Sequence, residues 1–117
     1  MPLDHAWIAS HIPHQGRMCL LDEVIEWTTG HIRCRSESHR REDNPLRAHG
    51  RLGAACGIEY AAQAMAVHGA LLTAGPSPAR RSGMLTSVRG LTLHVERLDD
   101  IAGSLVASAT FVHGDSA

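Results

Sequence analysis

Residues 52–79 contain a single charged side chain, that of Glu59. The first part of this stretch, residues 52–73, is rich in alanine, glycine and leucine and predicts a long helix that is apolar on nearly every side. A helix of that kind belongs in a protein core, where an unpaired carboxylate is costly. We therefore expect Glu59 either to pair with an Arg or His distant in the sequence or to take part in chemistry.

The composition excludes several classes of protein. The 117 residues predict one domain, residues 1–117, and a net charge of -1 gives no field that would attract nucleic acid or an anionic membrane. No apolar run is long enough to cross a bilayer, and the N-terminus lacks the pattern of a signal peptide. The three cysteines are an odd number without metal-type spacing. We expect a cytoplasmic protein with reduced thiols, no bound metal and no cofactor.

Alternating apolar and polar residues predict strands on both sides of the helix. The clearest is residues 31–39, where Ile32 and Cys34 face one way and Arg33 and Arg35 the other. Further strands are expected at residues 19–27, 91–96 and 105–112. The resulting order is strand, strand, helix, strand, strand. Because one flat sheet could not cover a helix that is apolar all round, we expect an α+β fold in which the sheet wraps the helix.

Two motifs carry a resemblance to a known family. One is a Pro-His segment followed by an apolar pair and an aspartate, and the other is a helical carboxylate with a glutamine four residues later. They are Ile12-Pro13-His14 with Leu20-Leu21-Asp22, and Glu59 with Gln63. The chain resembles the β-hydroxyacyl-acyl carrier protein dehydratases of the hot-dog fold. It is most similar to the divergent dehydratase-like proteins of bacterial aryl-polyene and related pigment clusters.

The resemblance implies an acid–base site that includes the helix carboxylate. In the family this carboxylate works with a histidine on the preceding loop, in the pattern His-Phe-Pro-Gly. Here residues 43–46 read Asp-Asn-Pro-Leu instead, and the histidine nearest the helix is His49. A protonated carboxyl suits the loss of a hydroxyl group, and a neutral imidazole suits removal of a proton. We expect Glu59 to be the acid and His49 the base.

Four further residues are expected to bind substrate or shape the site. Gly53, at the helix start, would let a thioester carbonyl approach backbone N–H groups closely. Gln63 lies one helical turn after Glu59 and would orient its carboxyl. Asn44 would donate a hydrogen bond to the substrate, and His14 would lie at the pocket entrance or hold the first loop. The His11/His14 pair is not expected to bind metal, because Pro13 prevents a helical arrangement of the two rings.

The resemblance also implies partners. The first is an acyl carrier protein with a phosphopantetheine-linked acyl chain. Some of the arginines of this chain would contact its acidic surface. The chain stops where the family adds a last strand, so we expect an open sheet edge. We also expect a homodimer, or a heterodimer with a related dehydratase. The arginines concerned are Arg33, Arg35, Arg40, Arg41, Arg80 and Arg81.

Three functions agree with these features. The first is dehydration of 3-hydroxyacyl thioesters on acyl carrier protein, in fatty-acid or polyene-type biosynthesis. The second is a non-catalytic, dehydratase-like subunit that binds acyl carrier protein or supports an active partner, since the loop histidine is displaced. The third is a hot-dog acyl thioesterase, a class that also places a carboxylate on this helix. The Pro-His segment favours the dehydratase over the thioesterase.

Overall fold

The fold is α+β, with one long helix and a three-stranded antiparallel sheet. The computed structural model describes residues 3–73 and 89–111. Strand, strand, helix and strand follow one another as the sequence predicts, after a short N-terminal helix. The elements are α1 (His5–His11), β1 (Glu23–Thr28), β2 (His31–Ser36), α2 (Gly57–Leu72) and β3 (Leu105–Thr110).

The sheet has the order β1-β2-β3, with both pairs antiparallel. A tight turn joins β1 to β2, so that Thr28 lies opposite His31, and β2 pairs with β3 along its whole length. The predicted alternation in β2 is confirmed, because Ile32 and Cys34 are buried and Arg33 is exposed. Strand β1 begins later than expected. Residues 19–21 are buried as an irregular segment instead.

Helix α2 packs one face against the sheet. Tyr60, Ala64, Val67 and Leu71 are buried on this face at helical spacing. On the opposite face Met65 is about half exposed. Strands β2 and β3 pack against α2 in the described part of the chain. The expectation that the sheet wraps the helix stays a prediction.

The start of α2 also differs from the sequence prediction. A 3₁₀ turn at Ala54–Cys56 precedes the helix, and Gly53 before it is extended. The Ala54 N–H donates to the Glu96 carbonyl at 3.0 Å, and the Leu98 N–H donates to the Leu52 carbonyl at 2.8 Å. These bonds hold the backbone before α2 against the returning chain, so the helix begins five residues later than its composition indicates.

The predicted strand at residues 91–96 is wrong for this structure. Leu91, Leu93 and Val95 are each about half exposed, and the segment belongs to neither ladder of the sheet. An alternating sequence becomes a strand only when another strand supplies hydrogen bonds. Within the described part of the chain none lies beside it.

Asp99 fastens the turn before β3 to the segment that leads into α2. Its side chain is almost completely buried, and Oδ1 accepts hydrogen bonds from the Leu52 N–H and the Arg97 Nε–H, both at 3.0 Å. Oδ2 accepts from Arg97 Nη2 at 2.5 Å. The hydrogen bonds from Arg97 and Leu52 hold the pKa of the Asp99 carboxyl well below its ordinary range.

Among the described residues, no helix has the length and apolar content required to cross a bilayer.

Substituting Asp99→Asn is expected to lower the free energy of unfolding at neutral pH. A carboxyl whose folded pKa is depressed adds stability above its unfolded pKa of about 3.9, and that stability is lost as the pH falls through the folded value. The variant should therefore lose less stability than the wild type between about pH 5 and pH 2. Urea unfolding across this range measures the difference. Asp100→Asn is the control, because Asp100 is exposed and 3.8 Å from Arg97.

Candidate active site

The candidate site lies where the N-terminal segment crosses the first two turns of α2. Glu59 is the third residue of α2, and Gln63 follows one turn later on the same side of the helix. His14 lies in the loop between α1 and β1. The chain is buried just before this loop, at Ile12, and just after it, at residues 19–21. The core packing of this segment therefore brings an imidazole to the helix carboxyl across 45 positions of sequence.

The imidazole of His14 contacts the carboxyl of Glu59 directly. Nε2 of His14 lies 3.2 Å from Oε2 of Glu59, and the two side chains are 25% and 34% exposed. Nδ1 of His14 has no hydrogen-bond partner in the described residues. The expectation that Glu59 pairs with a group distant in sequence is confirmed. Its carboxyl is nevertheless not enclosed in the core, since it reaches the surface at the edge of the buried helix face.

Gln63 joins the two parts of the site. Its side chain is completely buried, and Nε2 donates to the Met18 carbonyl at 2.7 Å and to Glu59 Oε2 at 3.1 Å. Its Oε1 accepts from the Leu20 N–H at 2.9 Å. Because the Leu20 N–H can only donate, the orientation of the amide is fixed and Nε2 faces Glu59. Gln63 thus orients the carboxyl, and its own polar atoms are already engaged.

Asn44 lies in a buried polar network beside the helix. Its Nδ2 donates to the Ser38 carbonyl at 2.9 Å and to the Tyr60 hydroxyl at 3.0 Å, while Oδ1 accepts from the Leu46 N–H at 2.8 Å. The Tyr60 hydroxyl also lies 2.7 Å from Ser38 Oγ. The amide of Asn44 fastens the loop to α2. The predicted hydrogen bond from Asn44 to a substrate stays a prediction.

The other two predicted residues are not brought to Glu59 by any described contact. His49 is exposed in a turn, with φ of 55°. Gly53 forms a bridge to Arg97, and the Ala54 N–H beside it is occupied by the Glu96 carbonyl. Their roles as base and as a substrate contact remain predictions that no contact in the described part of the chain supports.

The contact that sequence reasoning missed is the one between His14 and Glu59. Periodicity identifies neighbours on one helix but cannot show which distant loop crosses it. A usable signal was the buried pair Leu20 and Leu21, which follows the Pro-His segment after five intervening residues and must enter the core. That signal places the segment near the helix without selecting the residue that it faces.

A separate cavity lies on another side of α2. It has a volume of about 230 Å³ and apolar walls from Gly57, Tyr60, Ala61 and Leu98, together with four residues of β3. Gly57, Tyr60 and Ala61 share one side of the helix, and Glu59 projects from a different one. The cavity and the His14–Glu59 pair are therefore distinct features of the molecule.

A carboxyl and an imidazole in contact form an acid–base pair. Together they can hold one proton in two ways, as a neutral acid beside a neutral base or as a carboxylate beside an imidazolium. The first form can donate a proton at one atom and accept a proton at the other. This is the combination that an elimination of water requires.

Comparisons with known proteins agree with this chemistry. A family model described as ApeP-like, ApeP dehydratase, matches residues 6–113, a range that includes His14, Glu59 and Gln63. The match confirms the resemblance to divergent dehydratase-like proteins. Searches of curated proteins and of solved structures give no significant match.

Replacing Gln63 by Met is expected to destabilise the protein. The substitution preserves the approximate shape of the side chain but leaves the Leu20 N–H and the Met18 carbonyl without their partner. Each buried group left unpaired costs about 1–3 kcal/mol, so the free energy of unfolding should fall by roughly 2–6 kcal/mol. Denaturant unfolding measures the loss. Met65→Gln, the reverse exchange on the exposed face of the same helix, should change it by less than about 0.5 kcal/mol.

Proposed function

Since the chain belongs to the ApeP-like dehydratase family, we propose that it removes water from 3-hydroxyacyl chains carried as thioesters on an acyl carrier protein. The pathway would be fatty-acid or polyene-type biosynthesis. The observation that carries the proposal is the 3.2 Å contact between His14 and Glu59. It supplies an acid and a base at one place, beside the surface, on the helix where the family resemblance expects the acid.

In the proposed reaction each group moves one proton. The neutral imidazole of His14 takes the proton next to the thioester carbonyl on Nε2. The Glu59 carboxyl gives its proton to the departing hydroxyl group. The Cα–H and Cβ–O bonds break, a Cα=Cβ double bond forms, and water leaves.

The pair can then return to its starting state without help from solvent. After the elimination His14 is an imidazolium and Glu59 is a carboxylate, so the pair holds the same single proton as before. Passage of that proton from Nε2 to Oε2, over the contact of 3.2 Å, restores both groups. Gln63 supports this step by holding Oε2 in place.

The carrier-protein part of the proposal rests on the family resemblance. Four of the arginines expected to meet the carrier already lie within 3.8 Å of a carboxylate of this chain. Their charge is therefore partly compensated, and the contact with the carrier should be weak and salt-sensitive. These four are Arg33, Arg35, Arg40 and Arg41, while Arg80 and Arg81 lie outside the described residues.

We also propose the hot-dog arrangement and a homodimer for this chain. Met65 and Leu72 of α2 and the alternating segment at residues 91–96 present apolar side chains to solvent. A second copy could cover these surfaces, since exposed apolar patches of this kind mark interaction sites and an alternating segment can pair as a strand.

Substituting Glu59→Gln or His14→Asn should reduce turnover of a 3-hydroxyacyl thioester by about 10²-fold or more, because each removes one proton-transfer group. Formation of the conjugated enoyl thioester, followed by its ultraviolet absorbance, measures the rate. His11→Asn is the matched control and should keep wild-type turnover, since His11 stacks on Trp7 within α1.

The variant His49→Asn decides between the two candidate bases, and asparagine tolerates the positive φ of this position. Full activity in His49→Asn with loss in His14→Asn supports the proposal. The opposite result assigns the base to His49. A wild-type protein that converts no 3-hydroxyacyl thioester, yet raises the rate of a related dehydratase, would favour the non-catalytic subunit. Release of free thiol would favour the thioesterase.

The dimer is tested by substituting Leu93→Glu, which should shift the protein towards a monomer in sedimentation velocity. A charge placed on an apolar surface that becomes buried opposes association. Thr92→Glu introduces the same charge at the adjacent alternate position and should leave the dimer largely intact. Sedimentation of the wild type as a monomer at micromolar concentration would contradict the proposal. Association only in the presence of a related dehydratase would indicate the heterodimer instead.

A further inference from the structure

We infer, on the basis of the function proposed above, that Arg17 binds the acidic surface of acyl carrier protein beside the candidate site. Arg51, on the loop before α2, extends the same surface. Two observations carry this inference. Arg17 lies on the loop that carries His14, and neither arginine forms an ion pair within the described residues.

Most arginines in the described part of the chain already have a carboxylate partner. Arg17 and Arg51 are exposed and have none among residues 3–73 and 89–111, and the same holds for Arg89 at the border of the second range. Because a carboxylate beside a guanidinium offsets its charge, arginines without one attract an external anionic surface more strongly. The six arginines that form ion pairs, at 2.5–3.9 Å, are Arg33, Arg35, Arg40, Arg41, Arg47 and Arg97.

The backbone of Arg17 is held close to the acid–base pair. Arg17 lies three residues after His14, in a short 3₁₀ turn. The carbonyl of the next residue, Met18, accepts a hydrogen bond at 2.7 Å from the buried amide of Gln63, which also donates to Glu59. The side chain of Arg17 is nevertheless exposed. A carrier bound at Arg17 therefore lies next to the part of the pair that reaches the surface.

The side chain of Arg17 also reaches the loop before α2. Its Nη1 donates to the Asp43 carbonyl at 3.3 Å, which uses one of the five N–H groups of a guanidinium. The Asp43 carboxylate accepts from Nε and Nη2 of Arg41, both at 2.9 Å. The hydrogen bond from Arg41, together with the charges of Arg41 and Arg17, lowers the pKa of the Asp43 carboxyl. One carboxylate thus lies near two guanidinium groups, which leaves an excess of positive charge beside the site.

The loop at residues 40–51 continues this positive surface towards the start of α2. It contains four arginines and two acidic residues. Two carboxylates from outside the loop, those of Glu37 and the buried Asp99, pair with two of its arginines. With Arg17 included, five guanidinium groups stand against four carboxylates, in a chain whose net charge is -1. The excess is small, so the contact with an acidic carrier should be weak and salt-sensitive.

The first test compares Arg17→Gln and Arg51→Gln with Arg33→Gln. Arg33 is exposed on β2 between the buried Ile32 and Cys34, so the control removes the same charge from the outer face of the sheet. Each protein is assayed with a 3-hydroxyacyl chain on acyl carrier protein and with the same chain on pantetheine, which has neither the carrier nor its phosphate. Denaturant unfolding checks that every variant folds.

The ratio of the two kcat/KM values, carrier-bound over pantetheine-bound, reports the carrier contact. At low ionic strength it should fall about 5-fold in Arg17→Gln and about 10-fold when Arg51→Gln is added. Arg17→Lys, which keeps the charge, should retain most of the wild-type ratio, and Arg33→Gln should stay within about 2-fold of it. Equal ratios in Arg17→Gln and Arg33→Gln would overturn the inference.

A phosphopantetheine thioester separates the carrier from the phosphate of its arm. This substrate carries the phosphate without the protein, so Arg17→Gln should change its kcat/KM no more than that of the pantetheine thioester. A loss as large as with the carrier-bound substrate would assign Arg17 to the phosphate, and docking of the carrier surface at Arg17 would be wrong.

Binding is also measured without turnover, by fluorescence anisotropy of a labelled holo acyl carrier protein. Arg17→Gln should raise the Kd about 5-fold at low ionic strength, and the difference from the wild type should shrink as salt is added. A wild type that binds the carrier but converts no 3-hydroxyacyl thioester would contradict the proposed dehydration and leave the docking surface standing. Failure of the wild type to bind, or an unchanged Kd in Arg17→Gln, would overturn the inference whatever the activity.

Discussion

The buried amide of Gln63 is the interaction on which the site depends. A polar side chain that is completely enclosed must satisfy its donors and acceptor within the protein, and Gln63 does so with three groups from two parts of the chain. Two of these are backbone groups of the segment that follows His14, and the third is the Glu59 carboxyl. The hydrogen bonds that satisfy Gln63 therefore also fix where the segment after His14 lies relative to the Glu59 carboxyl. The His14–Glu59 contact follows from this arrangement.

The setting of the pair suits proton transfer better than a deeply buried one would. Charges enclosed in a core must overcome a large desolvation cost, whereas His14 and Glu59 are about a quarter and a third exposed. The pair holds one proton in either of its forms. Its net charge therefore does not change when that proton passes between the imidazole nitrogen and the carboxyl oxygen. The surroundings need not adapt to a new charge during the proposed cycle. Gln63 contributes a fixed donor that stays on the same oxygen.

The sequence predicts the parts of the fold that local periodicity determines. Strand β2, strand β3 and the helix around Glu59 are recovered, since alternation shows which face of each strand is buried and the long apolar stretch locates the helix. The i,i+4 relation between Glu59 and Gln63 follows from helix geometry alone. The contact of His14 with Glu59 depends on which loop packs across α2, and a single sequence does not reveal this tertiary packing. Residues 91–96 alternate between apolar and polar side chains as a strand does. A strand also needs a neighbouring strand to hydrogen-bond with, and the alternation does not show whether one is present.

The loop before α2 bears on which histidine would be the base. In the family resemblance the base comes from this loop, yet here Asn44 occupies the region and uses its amide to fasten the loop to Tyr60 and Ser38. An amide cannot take a proton, so Asn44 holds this loop in place but cannot act as the base. His14 reaches the same carboxyl from the other direction, on a segment that Gln63 already fixes to the helix. If His14 is the base, the chemistry has been kept while its base has moved to a different part of the chain. The displaced loop histidine is then compatible with an active enzyme.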